Sequence, residues 1–224
     1  MFFIKSLYCR IFQMGFRLVL PILPYREPKI INSCGKLPQV FEKEKLKSVL
    51  IVTDKGIVNN GLTRPLEKVL SENSITYAMY DGTQPNPTVE NVEDALALYK
   101  QKHCEGLIAI GGGSSMDCAK ALGARLAYPG RSVGQMKGIL KVMRRLPTLI
   151  AIPTTAGTGS EVTLAAVISD PQKHHKYALM SFPLIPHYAV LDAEMTYSLP
   201  PHLTATTGMD ALTHAVEAYI GRST

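Results

Sequence analysis

Residues 107–117 read Leu-Ile-Ala-Ile-Gly-Gly-Gly-Ser-Ser-Met-Asp, and this stretch decides the fold class. The apolar run at its start is typical of a buried strand, and residues 119–127 continue as a helix. A strand that passes through glycines into a helix brings backbone amides and the positive end of the helix to one edge of a parallel sheet, where phosphate groups bind. A bare tight turn is the alternative use of such glycines.

The stretch differs from the G-x-G-x-x-G fingerprint of dinucleotide-binding proteins. In that fingerprint an acidic residue lies about twenty positions after the glycines. Here the acidic residue at a strand end, Asp54, comes before them. The glycine run therefore predicts phosphate binding without identifying the ligand.

On both sides of this stretch, β-branched runs alternate with longer helical periods, as in a parallel sheet with crossover helices. The pattern predicts strands at 48–53, 75–80 and 149–152, and helices over 62–70, 89–99 and about 202–219. No internal repeat of constant period is present. The fold class is therefore α/β.

Composition limits the classes of protein that fit. A chain of 224 residues with 46% apolar content can bury one core, or one domain and the start of another. The net charge of +6 comes from scattered Lys and Arg, and the short basic run at 141–145 is interpreted as a solvated face, with an anion- or nucleic-acid-binding patch as the weaker alternative. Four cysteines without C-x-x-C spacing indicate reduced thiols in a cytoplasmic protein.

The N-terminal segment, residues 1–28, begins with a largely apolar run. Arg10 and Arg17 interrupt it, and no small-residue cleavage pattern follows, which argues against a signal peptide. The run is also too short and too charged to span a membrane. We expect an amphipathic helix that packs on the body of the protein or on a partner subunit.

Two further stretches carry polar chemistry. Residues 153–161 read Pro-Thr-Thr-Ala-Gly-Thr-Gly-Ser-Glu and follow a predicted strand, so this hydroxyl-rich loop should lie beside the glycine run, unless it serves only as a turn. Near the C-terminus, Asp210 and His214 are four apart on a predicted helix. That spacing turns both side chains to one face, where they can offer one oxygen and one nitrogen to a divalent cation.

Taken together, the motifs at 111–120, 153–163, 191–201 and 208–219 resemble, in order and spacing, the iron-containing (group III) alcohol dehydrogenases. The resemblance covers about residues 25–221 and implies a Rossmann-like parallel-sheet domain, followed by the start of an all-helical metal-binding domain in a dehydroquinate synthase-like architecture. It implies boundaries of 1–28 for the N-terminal segment, 29–199 for the dinucleotide-binding domain and 200–224 for the beginning of the helical domain.

The resemblance also implies roles for individual residues in binding NAD. Asp54 matches the acid on the adenosine ribose, whose charge disfavours the extra phosphate of NADP. Asp117 matches an acid near the nicotinamide, and Lys176 matches a lysine that reaches the cofactor, although a solvated hairpin lysine is the alternative. The remaining matches belong to the pyrophosphate turn and the hydroxyl-rich loop: Gly112, Gly113, Ser114, Thr154, Thr155, Thr158 and Thr163.

For the metal, the resemblance implies Asp210 and His214 as ligands of a divalent ion, iron first and zinc as the alternative. Relatives continue through a helical domain with two further histidine ligands, so the chain is expected to be truncated. No catalytic residue is assigned beyond the ligands. The implied function is metal-dependent hydride transfer between NAD and a small alcohol or aldehyde, in a homo-oligomer when full length. The alternative is a non-catalytic NAD-binding fragment.

Overall fold

The computed structural model describes residues 2–19, 22 and 25–221. The α-helices are α1 Phe2–Val19, α2 Leu37–Glu44, α3 Lys55–Asn59, α4 Arg64–Glu72, α5 Val89–Gln101, α6 Gly113–Ala127 and α7 Pro201–Ile220. The strands are β1 Lys29–Ile31, β2 Ser48–Val52, β3 Thr76–Tyr80, β4 Gly106–Gly111, β5 Gly138–Ile139, β6 Leu149–Pro153, β7 Ala165–Asp170, β8 His175–Met180 and β9 Tyr188–Val190.

The main sheet has six parallel strands in the order β1-β9-β6-β4-β2-β3. The three strands predicted around the functional loops, β2, β4 and β6, are neighbours at its centre. A second sheet has the order β5-β8-β7, in which β7 and β8 form an antiparallel hairpin. The parallel α/β architecture predicted from the alternating pattern is confirmed.

Alternate residues of the central strands face two separate hydrophobic clusters. Leu107 and Ala109 of β4 pack on the side of α5 and α6, whereas Ile108 and Ile110 pack on the side of α2 and α4. Both pairs are fully buried, which is why the strand reads as a continuous apolar run instead of an alternating one. A sheet covered on both faces leaves its carboxyl edge as the place where a ligand can approach.

Helix α5 begins where the sequence predicts it. The Thr88 hydroxyl accepts a hydrogen bond from the Asn91 amide at 3.2 Å, and the Asn91 side chain accepts from the Thr88 amide at 3.1 Å. This reciprocal capping box satisfies two amides that would otherwise lack partners at the helix start. Helix α6 begins at Gly113, directly after the glycine run, and includes the predicted 119–127 segment.

The N-terminal helix is present as α1, but its packing differs from the expectation. Every side chain of α1 that the structure describes is exposed, including Leu7, Ile11 and Leu18. The helix therefore does not bury these side chains on the body of the protein, and packing on a partner subunit stays a prediction. Among the described residues, no helix has the length and apolar character needed to cross a membrane.

Candidate functional site

Three functional loops meet at the carboxyl edge because the strands before them are adjacent. The order β6-β4-β2 places the loop after each strand beside the next. The Thr154 amide donates to the Gly111 carbonyl at 3.0 Å, which joins the hydroxyl-rich loop to the glycine run. The sequence prediction that these two loops lie side by side is thus met in the structure.

The glycine run needs its residue type for conformational and steric reasons. Gly111 has a φ of +144°, and a Cβ added there would lie 2.6 Å from the Ser115 hydroxyl oxygen. A Cβ on Gly113 would lie 3.1 Å from the Thr158 hydroxyl oxygen. A side chain at position 113 would push the hydroxyl-rich loop away, and one at position 111 would displace the first turn of α6.

The start of α6 has the features of an anion-binding helix terminus. Its N-cap is Gly112, so no side chain caps the first turn. The buried Ser115 hydroxyl lacks a hydrogen-bond partner within the described part of the chain. A helix of 15 residues with an open first turn presents amides and a positive dipole end to an anion. These features fit the pyrophosphate of a dinucleotide.

Asp54 lies across the cleft from this helix terminus. It caps α3, with its Oδ1 accepting from the Ile57 amide at 3.1 Å, and its Oδ2 lies 3.6 Å from the position of a Cβ on Gly111. Together with the glycine turn it lines a cleft of about 500 Å³, which also includes Gln84 and Pro85. This volume lies in the usual range for sites of small molecules and cofactors.

Asp117 and Thr163, both matched to cofactor-binding positions, are engaged inside the protein. The Asp117 carboxylate accepts from the Ser160 hydroxyl and the Val167 amide, each at 2.9 Å. The Thr163 hydroxyl accepts from the buried Lys120 ammonium at 3.0 Å. Burial raises the pKa of Asp117, and the nearby Lys120 charge opposes that shift. Neither residue lines the cleft around Asp54.

Lys176 is joined to the glycine turn through one intermediate residue. Its ammonium donates to Asn86 Oδ1 at 2.6 Å, and the Asn86 amide donates to the Ser114 hydroxyl at 3.3 Å. Lys176 lies on β8 of the second sheet, so the hairpin β7/β8 places it beside the main cleft. The sequence analysis did not identify Asn86 as a site residue. Its left-handed backbone, φ +58°, is not predicted by any local motif described above.

The predicted metal pair lies on α7, a helix without buried residues. Asp210 Oδ1 and His214 Nε2 on α7 are 3.8 Å apart, and their side chains are 46% and 63% exposed. Carboxylate and imidazole suit iron or zinc, but the described residues contain no group of three or more metal-binding side chains. The pair therefore fits part of a coordination sphere.

Helix α7 lies close to the hydroxyl-rich loop at Thr207. A Cβ on Gly157 would lie 2.9 Å from Thr207 Cβ and 2.9 Å from the Thr207 carbonyl oxygen. Glycine at 157 thus lets the helix backbone touch the loop. No residue of α7 is buried, and the apolar side chains of Leu212, Val216 and Tyr219 are exposed.

The basic side chains of the run at 141–145 are exposed, and two of them have different surroundings. The Arg144 guanidinium stacks 4.8 Å from the Tyr128 ring centroid. Arg145 instead lines a separate cleft with Arg26 and His187. Of the cysteines, Cys34, Cys104 and Cys118 are buried and Cys9 is exposed, and all four are free.

The parallel sheet, the open helix terminus and the acid at the neighbouring strand end define the class of this protein as a Rossmann-like, dinucleotide-binding α/β fold. Comparison with known proteins narrows the class further. The model of the iron-containing alcohol dehydrogenase family matches residues 29–193. The chain belongs to that family.

Three similar proteins illustrate the relationship. Alcohol dehydrogenase 4 of Schizosaccharomyces pombe is 49% identical over 174 residues, which are 78% of this chain and 41% of the relative. The crystal structure of a 1,3-propanediol oxidoreductase has a TM-score of 0.85 at 35% identity, covering 89% of this chain and 53% of the other. Sulfoacetaldehyde reductase from Bifidobacterium kashiwanohense, solved with NAD+, has a TM-score of 0.76 at 32% identity, covering 88% and 53%.

The chain spans about half the length of the curated relatives it matches. The region in common contains the glycine turn, Asp54 and the hydroxyl-rich loop, because the family match runs through all three. Asp210 and His214 lie beyond the residues of that match.

Proposed function

We propose that the protein acts as a metal-dependent oxidoreductase that transfers a hydride between NAD and a small alcohol or aldehyde. The observation that carries the proposal is the open N-terminus of α6, which faces a 500 Å³ cleft beside Asp54. The family relationship supports the class of reaction. The relatives named above, an alcohol dehydrogenase, a propanediol oxidoreductase and a sulfoacetaldehyde reductase, support small alcohols and aldehydes as substrates.

In this proposal, the cofactor lies along the carboxyl edge of the sheet. Gly112, Gly113 and Ser114 hold the pyrophosphate with backbone amides at the helix terminus. Asp54 accepts hydrogen bonds from the adenosine ribose and repels the additional phosphate of NADP, so NAD is preferred. Its capping bond to Ile57 holds the carboxylate in one orientation.

The remaining cofactor residues act from the two loops that border the turn. We assign direct contact to Thr155 and Thr158, because their side chains border Gly112 and Gly113. Thr154 is buried and contributes by joining the loop to Gly111. Lys176 reaches the cofactor by exchanging its bond to Asn86 for one to a phosphate oxygen. Asp117 and Thr163 contribute through the hydrogen bonds that they make inside the protein.

Asp210 and His214 would supply two ligands of the divalent ion, iron or zinc, from the helix that begins the proposed domain at 200–224. When bound, the ion polarises the substrate oxygen as a Lewis acid, and NAD supplies the hydride chemistry. The contact between Gly157 and Thr207 sets how far this helix stands from the hydroxyl-rich loop. The described residues would thus hold the metal pair on α7 at a defined distance from the hydroxyl-rich loop of the cofactor site.

The test has two stages. First, calorimetric titrations with NAD and with NADP measure the two dissociation constants. Binding should be saturable, and the constant for NAD should be the lower one. NADH formation from small primary alcohols should then be measured with added ferrous iron or zinc, against the Asp210→Asn variant as the control for metal dependence. Absence of saturable NAD binding would sink the proposal. Tight NAD binding without turnover with either metal would favour the non-catalytic binding protein instead.

A further inference from the structure

Lys120 is a charged side chain with no exposed surface. It lies on α6, two turns after the glycine run, and is among the largest fully buried side chains of the described chain. Burial lowers the pKa of its ammonium to about 8, and the negative charges of Asp117 and Glu161 oppose that shift. A buried charge is strongly unfavourable unless hydrogen bonds compensate it. The hydrogen-bond partners of the ammonium therefore indicate its role.

Four oxygen atoms surround the Lys120 ammonium. Ser160 Oγ, Thr163 Oγ1 and the Thr163 carbonyl oxygen each lie 3.0 Å from its nitrogen, and the Ala165 carbonyl oxygen lies 2.8 Å from it. All four can accept hydrogen bonds from the ammonium. All four belong to residues 160–165, which join the hydroxyl-rich loop to β7. Two of them are backbone carbonyls, so the contact constrains the path of the chain as well as the side chains.

Asp117 holds the same segment from one turn earlier on α6. Its carboxylate accepts from the Ser160 hydroxyl and from the Val167 amide at 2.9 Å. Ser160 therefore donates to Asp117 and accepts from Lys120. Asp117 and Lys120, on one face of α6, thus bind residues between 160 and 167, and we call these contacts the α6 clamp.

The clamp is connected to the glycine turn through Thr158. The Ser160 amide donates to the Thr158 hydroxyl at 3.4 Å. That hydroxyl lies 3.1 Å from the position of a Cβ on Gly113. A shift of Ser160 would therefore move Thr158 away from the turn where the pyrophosphate is proposed to bind.

We propose that Lys120, together with Asp117, is a positioning residue for the nucleotide site: it clamps residues 160–165 onto α6 and so holds the hydroxyl-rich loop against the glycine turn. The proposal rests on NAD binding as set out under the proposed function. Lys120 touches neither cofactor nor substrate. Its action passes through Ser160 and Thr158.

The experiment compares four variants of the 224-residue chain with the unaltered protein. Lys120→Met removes the charge at similar length, and Ser160→Ala removes one shared partner. Lys100→Met is the matched control, because Lys100 is an exposed lysine on α5. Leu70→Ala, buried in the cluster on the opposite face of the sheet, is the control for general loss of stability.

Two quantities are measured at a temperature where each variant is folded: the dissociation constant for NAD, and amide hydrogen exchange of residues 154–165 against residues 107–110 of β4. For Lys120→Met we expect NAD affinity to fall about tenfold or more, as for loss of a charge-assisted hydrogen-bond network. Exchange in 154–165 should accelerate while β4 stays protected. Ser160→Ala should show the same pattern more weakly.

Leu70→Ala separates positioning from stability. It should lower the melting temperature while leaving NAD affinity and exchange in 154–165 as in Lys100→Met. If Lys120→Met also leaves both quantities unchanged, or changes them no more than Leu70→Ala does, the proposal is overturned. Should Lys120→Met fail to fold, Ser160→Ala decides by the same criteria. If the unaltered chain does not bind NAD, the proposed function fails, and the exchange data report separately whether the clamp exists.

Discussion

Helices α6 and α7 each carry a carboxylate predicted to be functional, and the two helices differ in how deeply they are buried. α6 buries nine of its residues, and Asp117 on it is held by Ser160 and Val167. α7 is the longer helix, yet none of its residues is buried, and the partner that the structure gives Asp210 is His214. The proposed nucleotide site is therefore held in place by packing, whereas the proposed metal pair is exposed in the part of the chain that the structure describes.

This contrast matters because preorganisation decides affinity. Binding side chains that are already held by hydrogen bonds lose little freedom when a ligand binds. Exposed side chains must be ordered by the ligand, which costs affinity. We therefore expect changes around α6 to alter NAD binding and stability strongly, and changes on α7 to alter neither.

The largest effect should come from Gly111→Ala. The new Cβ would sit 2.6 Å from the Ser115 oxygen at a φ of +144°, so backbone strain and overlap act together. We expect a loss of roughly 2–5 kcal/mol in unfolding free energy and no measurable NAD binding. Denaturant unfolding and calorimetry measure the two. Gly130→Ala is the control, since nothing lies within 4 Å of its added Cβ, and equal behaviour of the two variants would contradict the account.

A smaller effect concerns pH and the buried Lys120. Its folded pKa of about 8 lies below the ordinary lysine value of about 10.4, so between these values the unfolded chain binds a proton that the folded chain has lost. Stability contributed at this site should therefore rise with pH above 8, by up to about 1.4 kcal/mol per pH unit. Unfolding curves from pH 7.5 to 9.5 should show this slope in the unaltered protein and not in Lys120→Met. A parallel pH dependence of both would refute it.

Asp54→Asn should change coenzyme preference. Asparagine also caps helices, so the α3 cap to Ile57 survives while the negative charge is lost. We expect affinity for NADP to rise relative to NAD by about tenfold, equivalent to roughly 1.4 kcal/mol. Paired titrations with both coenzymes measure this ratio. Asp54→Ala serves as the comparison for loss of the cap, and an unchanged ratio in Asp54→Asn would argue against ribose recognition by Asp54.

The smallest effect on the nucleotide site should come from α7. Replacing both members of the metal pair, with Asp210→Asn and His214→Ala, should leave NAD affinity within about twofold, below roughly 0.4 kcal/mol. Residual binding of zinc or ferrous iron should be lost in the same variant. Calorimetry with NAD and with the metal alone tests both statements. A large loss of NAD affinity would show that the two helices are coupled and would contradict their independence.

Much of the architecture around α6 could be predicted from local sequence. The apolar run before Gly111, the glycines and the helical pattern after them are adjacent in the chain, and each is a local signal of strand, turn or helix. The helical pattern over 89–99 also placed the start of α5 correctly. Strands β1, β5, β7, β8 and β9 were not predicted. β1, β5 and β9 have two or three residues, too few for a periodicity, and pair with distant segments. β7 and β8 are longer and pair with each other in the second sheet.

The assignment of contacts inside the site was less accessible to sequence. Asp117 was matched to the cofactor, but its observed partners lie 43 and 50 residues away in the chain. Asn86, which links Lys176 to Ser114, is 90 residues from the lysine. No local pattern encodes such pairs, since they depend on where the hairpin β7/β8 comes to lie against α6.

What the sequence determined by itself is the set of local conformations and the kinds of chemistry available: buried parallel strands, an open glycine turn before a helix, and an oxygen and a nitrogen donor one helical turn apart on α7. Tertiary structure alone decided which of these groups meet. It turned Asp117 and Lys120 inward to hold the hydroxyl-rich loop and left Asp210 and His214 exposed. The physical reason is that hydrogen bonding and burial act between segments far apart in the chain, which local propensity does not determine.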